Sequence, residues 1–123
     1  MSLKIIDEDV KEVGKTIKSS KKLQYWKFEL NGETTYNIEL YTSKLTGKKK
    51  VTQNGQLLYE NTNYSLVDKV LDFKFTIGPN HLQIFQIGER YELKINDQEF
   101  SKMAFISKLK PGTNHKVPLL KKQ

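Results

Sequence analysis

The sequence predicts an all-β chain: a single antiparallel β-sandwich of seven to eight short strands, with an N-terminal arm and a basic C-terminal tail. Three observations carry this. Apolar and polar residues alternate with period two in several separate segments, the pattern of strands with one buried and one wet face. Turn signals follow one another at Asn31-Gly32, Asn54-Gly55, Gly78-Pro79-Asn80, Gly88 and Asn96-Asp97. The intervals between them leave no room for the crossover helices that parallel strands need. At 123 residues the chain has the length of one domain and can bury about two-thirds of the surface its unfolded form exposes.

The arm, residues 1–22, carries Ile6, Val10, Val13 and Ile17 at helical spacing. Its acids Asp7, Glu8 and Asp9 come first and Lys15 and Lys18 last, the order that suits a helix dipole. This predicts a short amphipathic helix weakened at Gly14 by up to ~1 kcal/mol. An extended arm is the alternative reading.

The body, residues 23–105, begins with Trp26, Phe28 and Leu30 on one face and Lys27 and Glu29 on the other. After Asn31-Gly32, Tyr36, Ile38 and Leu40 alternate with Asn37 and Glu39. A polar loop with Gly47 leads into Lys48-Lys49-Lys50-Val51, and Asn54-Gly55 marks a hairpin before Leu57, Leu58 and Tyr59. Leu71, Phe73, Phe75 and Ile77 alternate up to Gly78. Leu82 and Ile84 then face one way and Phe85 and Ile87 the other, a strand expected to be covered on both sides. Tyr91, Leu93 and Ile95 alternate with Glu92, Lys94 and Asn96. The expected core is Trp26, Phe28, Ile38, Leu40, Phe73, Phe75, Leu93 and Ile95. Residues 99–110 admit two readings. Phe100, Met103 and Ala104 fit a helical face stopped by Pro111-Gly112, whereas Phe100 and Phe105 would suit a last strand. A C-terminal helix would favour a PH-like barrel, the alternative fold.

The net charge is +7, and 20 of the 21 cations are lysines, Arg90 being the other. Lysine acts as a solvated point charge, whereas arginine is the usual bidentate reader of phosphate and bases. The excess therefore reads as salt-sensitive attraction to an acidic surface. It is concentrated in the tail, residues 106–123, where Lys108, Lys110, Lys116, Lys121 and Lys122 meet no acid. Pro111, Gly112 and Pro118 interrupt regular structure there, while Leu119 and Leu120 supply a small apolar anchor. Alone, such a segment buries too little apolar surface to order itself; against an acidic partner it gains both anchors and charges. Lys48, Lys49 and Lys50 have two readings: a charged edge strand that resists edge-to-edge pairing, or a partner contact.

Several chemistries are excluded by composition. There is no cysteine, hence no disulfide, thiolate metal site or cysteine nucleophile. His81 and His115 are the only imidazoles, and no phosphate loop, dinucleotide fingerprint or metalloprotease motif occurs. No metal, cofactor or catalytic residue is expected. No apolar run approaches the roughly 20 residues of a membrane span. The start of the chain lacks the apolar stretch of a secretory signal, which points to the cytoplasm and leaves the sequon Asn63-Tyr64-Ser65 idle. Tyr41 beside the lysine run is the one hint of base stacking, so nucleic acid is disfavoured as a partner.

The body resembles the domain of the Fas apoptotic inhibitory molecule (FAIM) family. The likeness is carried by W-K-F-E-L-N-G from Trp26 to Gly32, Y-N-I-E-L-Y-T-S-K-L-T-G-K-K-K-V from Tyr36 to Val51, and Q-N-G from Gln53 to Gly55. F-K-F-T-I-G from Phe73 to Gly78 and Y-E-L-K-I-N-D from Tyr91 to Asp97 continue it. Thr46-Gly47-Lys48-Lys49 is the most distinctive piece. The chain departs from the family pattern with Asn31 and Asn54 in place of turn aspartates, Lys49 in place of Arg, and Tyr36 where His is usual. The resemblance implies a β-sandwich without catalytic activity that works through protein contacts. Combined with the charge, it predicts an interaction module, an accessory subunit of a larger cytoskeletal or ciliary assembly. The alternative is a peripheral lipid- or nucleic-acid-binding β-domain.

Overall fold

The turns are built as their dipeptides dictate. In the computed structural model, which describes residues 2–62, 70–109 and 116–117, Asn31 and Gly32 have φ of 56° and 68°, and Asn54 and Gly55 of 49° and 84°. Both central residues thus sit in the left-handed region that a two-residue type I′ hairpin turn requires. Asn96 and Asp97 reach the same region, at 51° and 68°, without a glycine. Their short polar side chains make them among the few residues that visit it readily.

Between the turns lie ten strands, one α-helix and a single 3-10 turn at Lys18–Ser20 among the described residues. The strands are β1 (Leu3–Glu12), β2 (Lys21–Leu30), β3 (Thr34–Ser43), β4 (Lys48–Gln53), β5 (Gln56–Thr62), β6 (Asp72–Ile77), β7 (Asn80–Ile87), β8 (Arg90–Ile95), β9 (Gln98–Glu99) and β10 (Lys116–Val117). Helix α1 (Phe100–Leu109) precedes β10. Two antiparallel sheets result, ordered β10-β1-β2-β3-β4-β5 and β6-β7-β8-β9. Neither closes on itself, so the all-β sandwich class holds; the C-terminal helix is present but the PH-like barrel is not. No helix among the described residues is long and apolar enough to cross a membrane.

The arm takes its extended reading: Leu3–Glu12 is a strand, not an amphipathic helix. Ile6, Val10, Val13 and Ile17 are 43%, 49%, 40% and 60% exposed and form no buried stripe, while Leu3 is fully buried. Spacing by four is also an even spacing, so Ile6 and Val10 fit a strand face as well as a helix face. Two N–H groups of β1, those of Glu8 and Val10, donate to the carboxylates of Asp7 (2.9 Å) and Asp9 (2.8 Å). Gly14 belongs to a tight reversal closed by Gly14 N–H to Lys18 O (3.1 Å) and Val13 N–H to Lys21 O (2.8 Å). A Cβ there would collide with the Ile17 carbonyl oxygen and lie 2.7 Å from Ser20 Oγ.

The chain divides into two compact units. One comprises 6–28 and 35–69; its buried side chains are Trp26, Phe28, Ile38, Leu40 and Val51. The Trp26 indole N–H has no partner among the described residues. On the opposite strand face, Tyr41 pairs with Lys50 and Glu39 with Thr52 across β3 and β4. The β4–β5 register shifts between Val51↔Tyr59 and Thr52↔Leu57, which leaves Leu58 as a bulge residue.

The other unit comprises 1–5, 29–34 and 70–123. Its core includes Leu71, Ile77, Leu82, Ile84, Leu93, Ile95, Phe100, Met103 and Ala104. Phe73 and Phe75 are half-buried, contrary to the expected core, because β6 is the end strand of its sheet. They stack on each other with ring centroids 5.3 Å apart. β7 is not covered on both sides either: Phe85 is half-buried and Ile87 is 43% exposed. Helix α1 buries Phe100, Met103 and Ala104 and leaves Phe105 62% exposed, so Phe105 fills no strand position. Alternation places Glu92 on the wet face, yet it is 4% exposed. Its Oε2 accepts the Ser101 N–H (3.0 Å) and its Oε1 the Ser101 hydroxyl (3.0 Å), which sets a carboxylate at the first turn of α1.

One device recurs at three turns. Each turn asparagine donates its N–H to a carbonyl on a neighbouring segment and accepts, through Oδ1, the N–H of that same residue. Asn31 brackets Ser2 this way (2.9 and 3.3 Å), Asn54 brackets Asn37 (2.9 and 2.7 Å) and Asn96 brackets His81 (2.8 and 2.9 Å). These brackets tie each turn to the segment beside it.

Candidate functional site

Lys48, Lys49 and Lys50 begin β4, directly after the loop that ends at Gly47. β4 lies between β3 and β5, so the edge-strand reading is overturned; among the described residues the sheet ends at β5. Strand alternation also splits the run. Lys49 shares a face with buried Val51, whereas Lys48 and Lys50 project with Tyr41 and Glu60 from the other. Lys48 Nζ pairs with Glu60 Oε2 at 3.0 Å, both side chains about 40% exposed, a type of pair worth little in water. Lys50 Nζ lies 5.4 Å from the Tyr41 ring centroid. Leu23, Glu39, Tyr41, Lys50 and Thr52 line a shallow depression of about 130 Å³ on this face.

Tyr25 on β2 repeats the motif, with Lys11 and Lys27 Nζ 5.7 and 6.0 Å from its ring centroid. Such contacts are worth about 0.5–1 kcal/mol at exposed sites. The Tyr25 hydroxyl donates to Asp7 Oδ2 at 2.8 Å. That hydrogen bond holds its pKa above the ordinary phenol range, with desolvation and the charges of Asp7 and Asp9 adding to the shift. The sheet face thus presents rings bearing lysines, but Asp7 and Glu39 interrupt it with negative charge.

Two of the tail lysines fall among the described residues. Lys108 is exposed in the last turn of α1, where a cation complements the helix dipole. Lys116 lies in β10, opposite Lys4 of β1, so this part of the tail has regular structure. Lys110, Leu119, Leu120, Lys121 and Lys122 fall outside the described residues, as do His115 and the sequon. Lys48–Lys50 and Lys108 belong to different compact units.

Sequence reasoning missed a second cationic place. On the wet face of β6-β7-β8, register aligns Lys74, Gln83 and Lys94 in one row and Thr76 beside His81 in the next. With Asp97, and with Phe75 and Leu82 also at its wall, they line a cleft of about 320 Å³. In the sequence these lysines are merely the polar half of two alternations; only the register makes them neighbours across β7. No family model, no curated protein and no solved structure matches the chain.

Proposed function

We propose that this chain is a non-catalytic protein-interaction module related to the FAIM domain. It binds an acidic partner surface through Lys48–Lys50 and the tail, as a cytoplasmic accessory subunit of a cytoskeletal or ciliary assembly. The observation that carries the reading is the half-buried lysine-over-tyrosine face, with Lys11 and Lys27 on Tyr25 and Lys50 on Tyr41. A lysine held over a ring keeps its charge available while the ring offers flat apolar area, a combination suited to a reversible protein contact. Lys48, spent partly on Glu60, contributes least.

The test is fluorescence anisotropy of a glutamate-rich peptide with the full-length chain, beside single-stranded oligonucleotide and anionic vesicles. Saturable peptide binding that weakens several-fold in Lys50→Glu and in Lys121→Glu/Lys122→Glu, and again on raising salt, supports the reading. Co-sedimentation with a purified cytoskeletal polymer tests the assembly. Tight binding to oligonucleotide or vesicles with none to the peptide overturns the reading in favour of the nucleic-acid or lipid alternative.

A further inference from the structure

We propose that the cleft on β6-β7-β8 is a binding site for a phosphate monoester. Its residues are not among the lysines assigned above, and it does not depend on their role. Adjacent strands are about 4.8 Å apart, so Lys74 and Lys94 flank Gln83 with backbones about 10 Å from each other. Two ammonium groups on flexible stems can converge on one group seated above Gln83. Thr76 and His81, one row along, add a hydroxyl and an imidazole at the same opening.

The floor is held in place. Gln83 Nε2 donates to Asp72 Oδ1 at 2.7 Å. The His81 backbone is bracketed by Asn96, which also donates from Nδ2 to buried Asn80 Oδ1 at 3.0 Å. Lys94 Nζ rests 4.8 Å from the Phe85 ring centroid, a weak hold that a dianion would outcompete.

Charge count and size select the ligand. A phosphate monoester carries about −1.5 to −2 and three strong acceptor oxygens, which matches two lysines and neighbouring donors better than a lone carboxylate does. Asp72, next on the same face of β6, and Asp97, just after β8, lie on either side of the cationic row, so a compact anion fits it better than an extended polyanion. About 320 Å³ lies at the small end of ligand pockets. The ester is carried either on a small metabolite or on a phosphorylated side chain.

The experiment is an amide-resolved NMR titration of the full-length chain at fixed ionic strength. Ribose 5-phosphate represents the free ester, an otherwise neutral phosphoserine peptide represents the side chain, and sodium sulfate is the ionic control. Saturable shifts at Thr76, His81, Gln83 and Lys94 with either ester, weakened about tenfold or more in Lys74→Gln and Lys94→Gln, support the site, and the tighter ester identifies its source. The spectra of the two variants report that they fold. Shifts that stay linear with concentration, that sulfate reproduces, or that persist unchanged in both variants overturn it.

Discussion

Glu92 is the residue whose removal tests the packing of the C-terminal unit most sharply. It accepts two hydrogen bonds from Ser101 at the start of α1 while only 4% exposed. A hydrogen bond to a charged group contributes about 1.5–3 kcal/mol, and a carboxylate at a helix N-terminus adds about 0.3–1 kcal/mol. Summing these overshoots. Burial of the carboxylate costs several kcal/mol that alanine relieves, and Ser101 is exposed, so its donors regain water. The net expected loss for Glu92→Ala is about 2 kcal/mol. Glu92→Gln keeps one acceptor and loses about half as much. Urea unfolding followed by far-UV circular dichroism reads both. Ser101→Ala should cost about 1 kcal/mol alone and close to nothing on top of Glu92→Ala, since the hydroxyl then has lost its acceptor. Full additivity of the two substitutions, or a Glu92→Ala loss below about 0.5 kcal/mol, refutes the pairing as a stabilising contact.

Trp26→Ala empties a fully buried site and should cost about 3–5 kcal/mol by the same unfolding assay. Gly55→Val places a β-branched residue at φ 84° and should lower the melting temperature, whereas valine at exposed Gln56 should not. Gly14→Ala should destabilise by about 1–3 kcal/mol, because the new methyl meets the Ile17 carbonyl and Ser20 Oγ. While Asp7 is ionised, the raised Tyr25 pKa means that its bond to Asp7 holds below the ordinary phenol value and is lost as pH rises through the folded value. Ultraviolet titration should show a tyrosine ionising late, and Tyr25→Phe or Asp7→Asn should abolish that late step.

What was legible in the sequence was local. Asn31-Gly32 and Asn54-Gly55 announce their turns because left-handed φ is a property of the dipeptide, and the alternation around Trp26, Ile38 and Leu93 is a property of single strands. What was not legible depended on neighbours distant in sequence. Lys48–Lys50 reads as an edge until β5 is laid beside it. Glu92 reads as wet until α1 folds over β8. The cleft exists only because the β6–β7–β8 register sets Lys74 and Lys94 on either side of Gln83. The arm misled for a different reason: a spacing of four serves both a helix and a strand.

The aspartates of β1 bear on how the molecule can be joined to others. Beyond Lys4, no strand among the described residues pairs with β1 on the side away from β2. A bare strand of that kind templates the addition of foreign chains, the first step of polymerisation. Here the Glu8 and Val10 N–H groups are already bonded to Asp7 and Asp9, and an incoming backbone would also meet three consecutive negative charges. At the opposite end of the sheet, the bulge at Leu58 breaks the regular ladder. Growth of the sheet into a fibril is thereby discouraged at both ends.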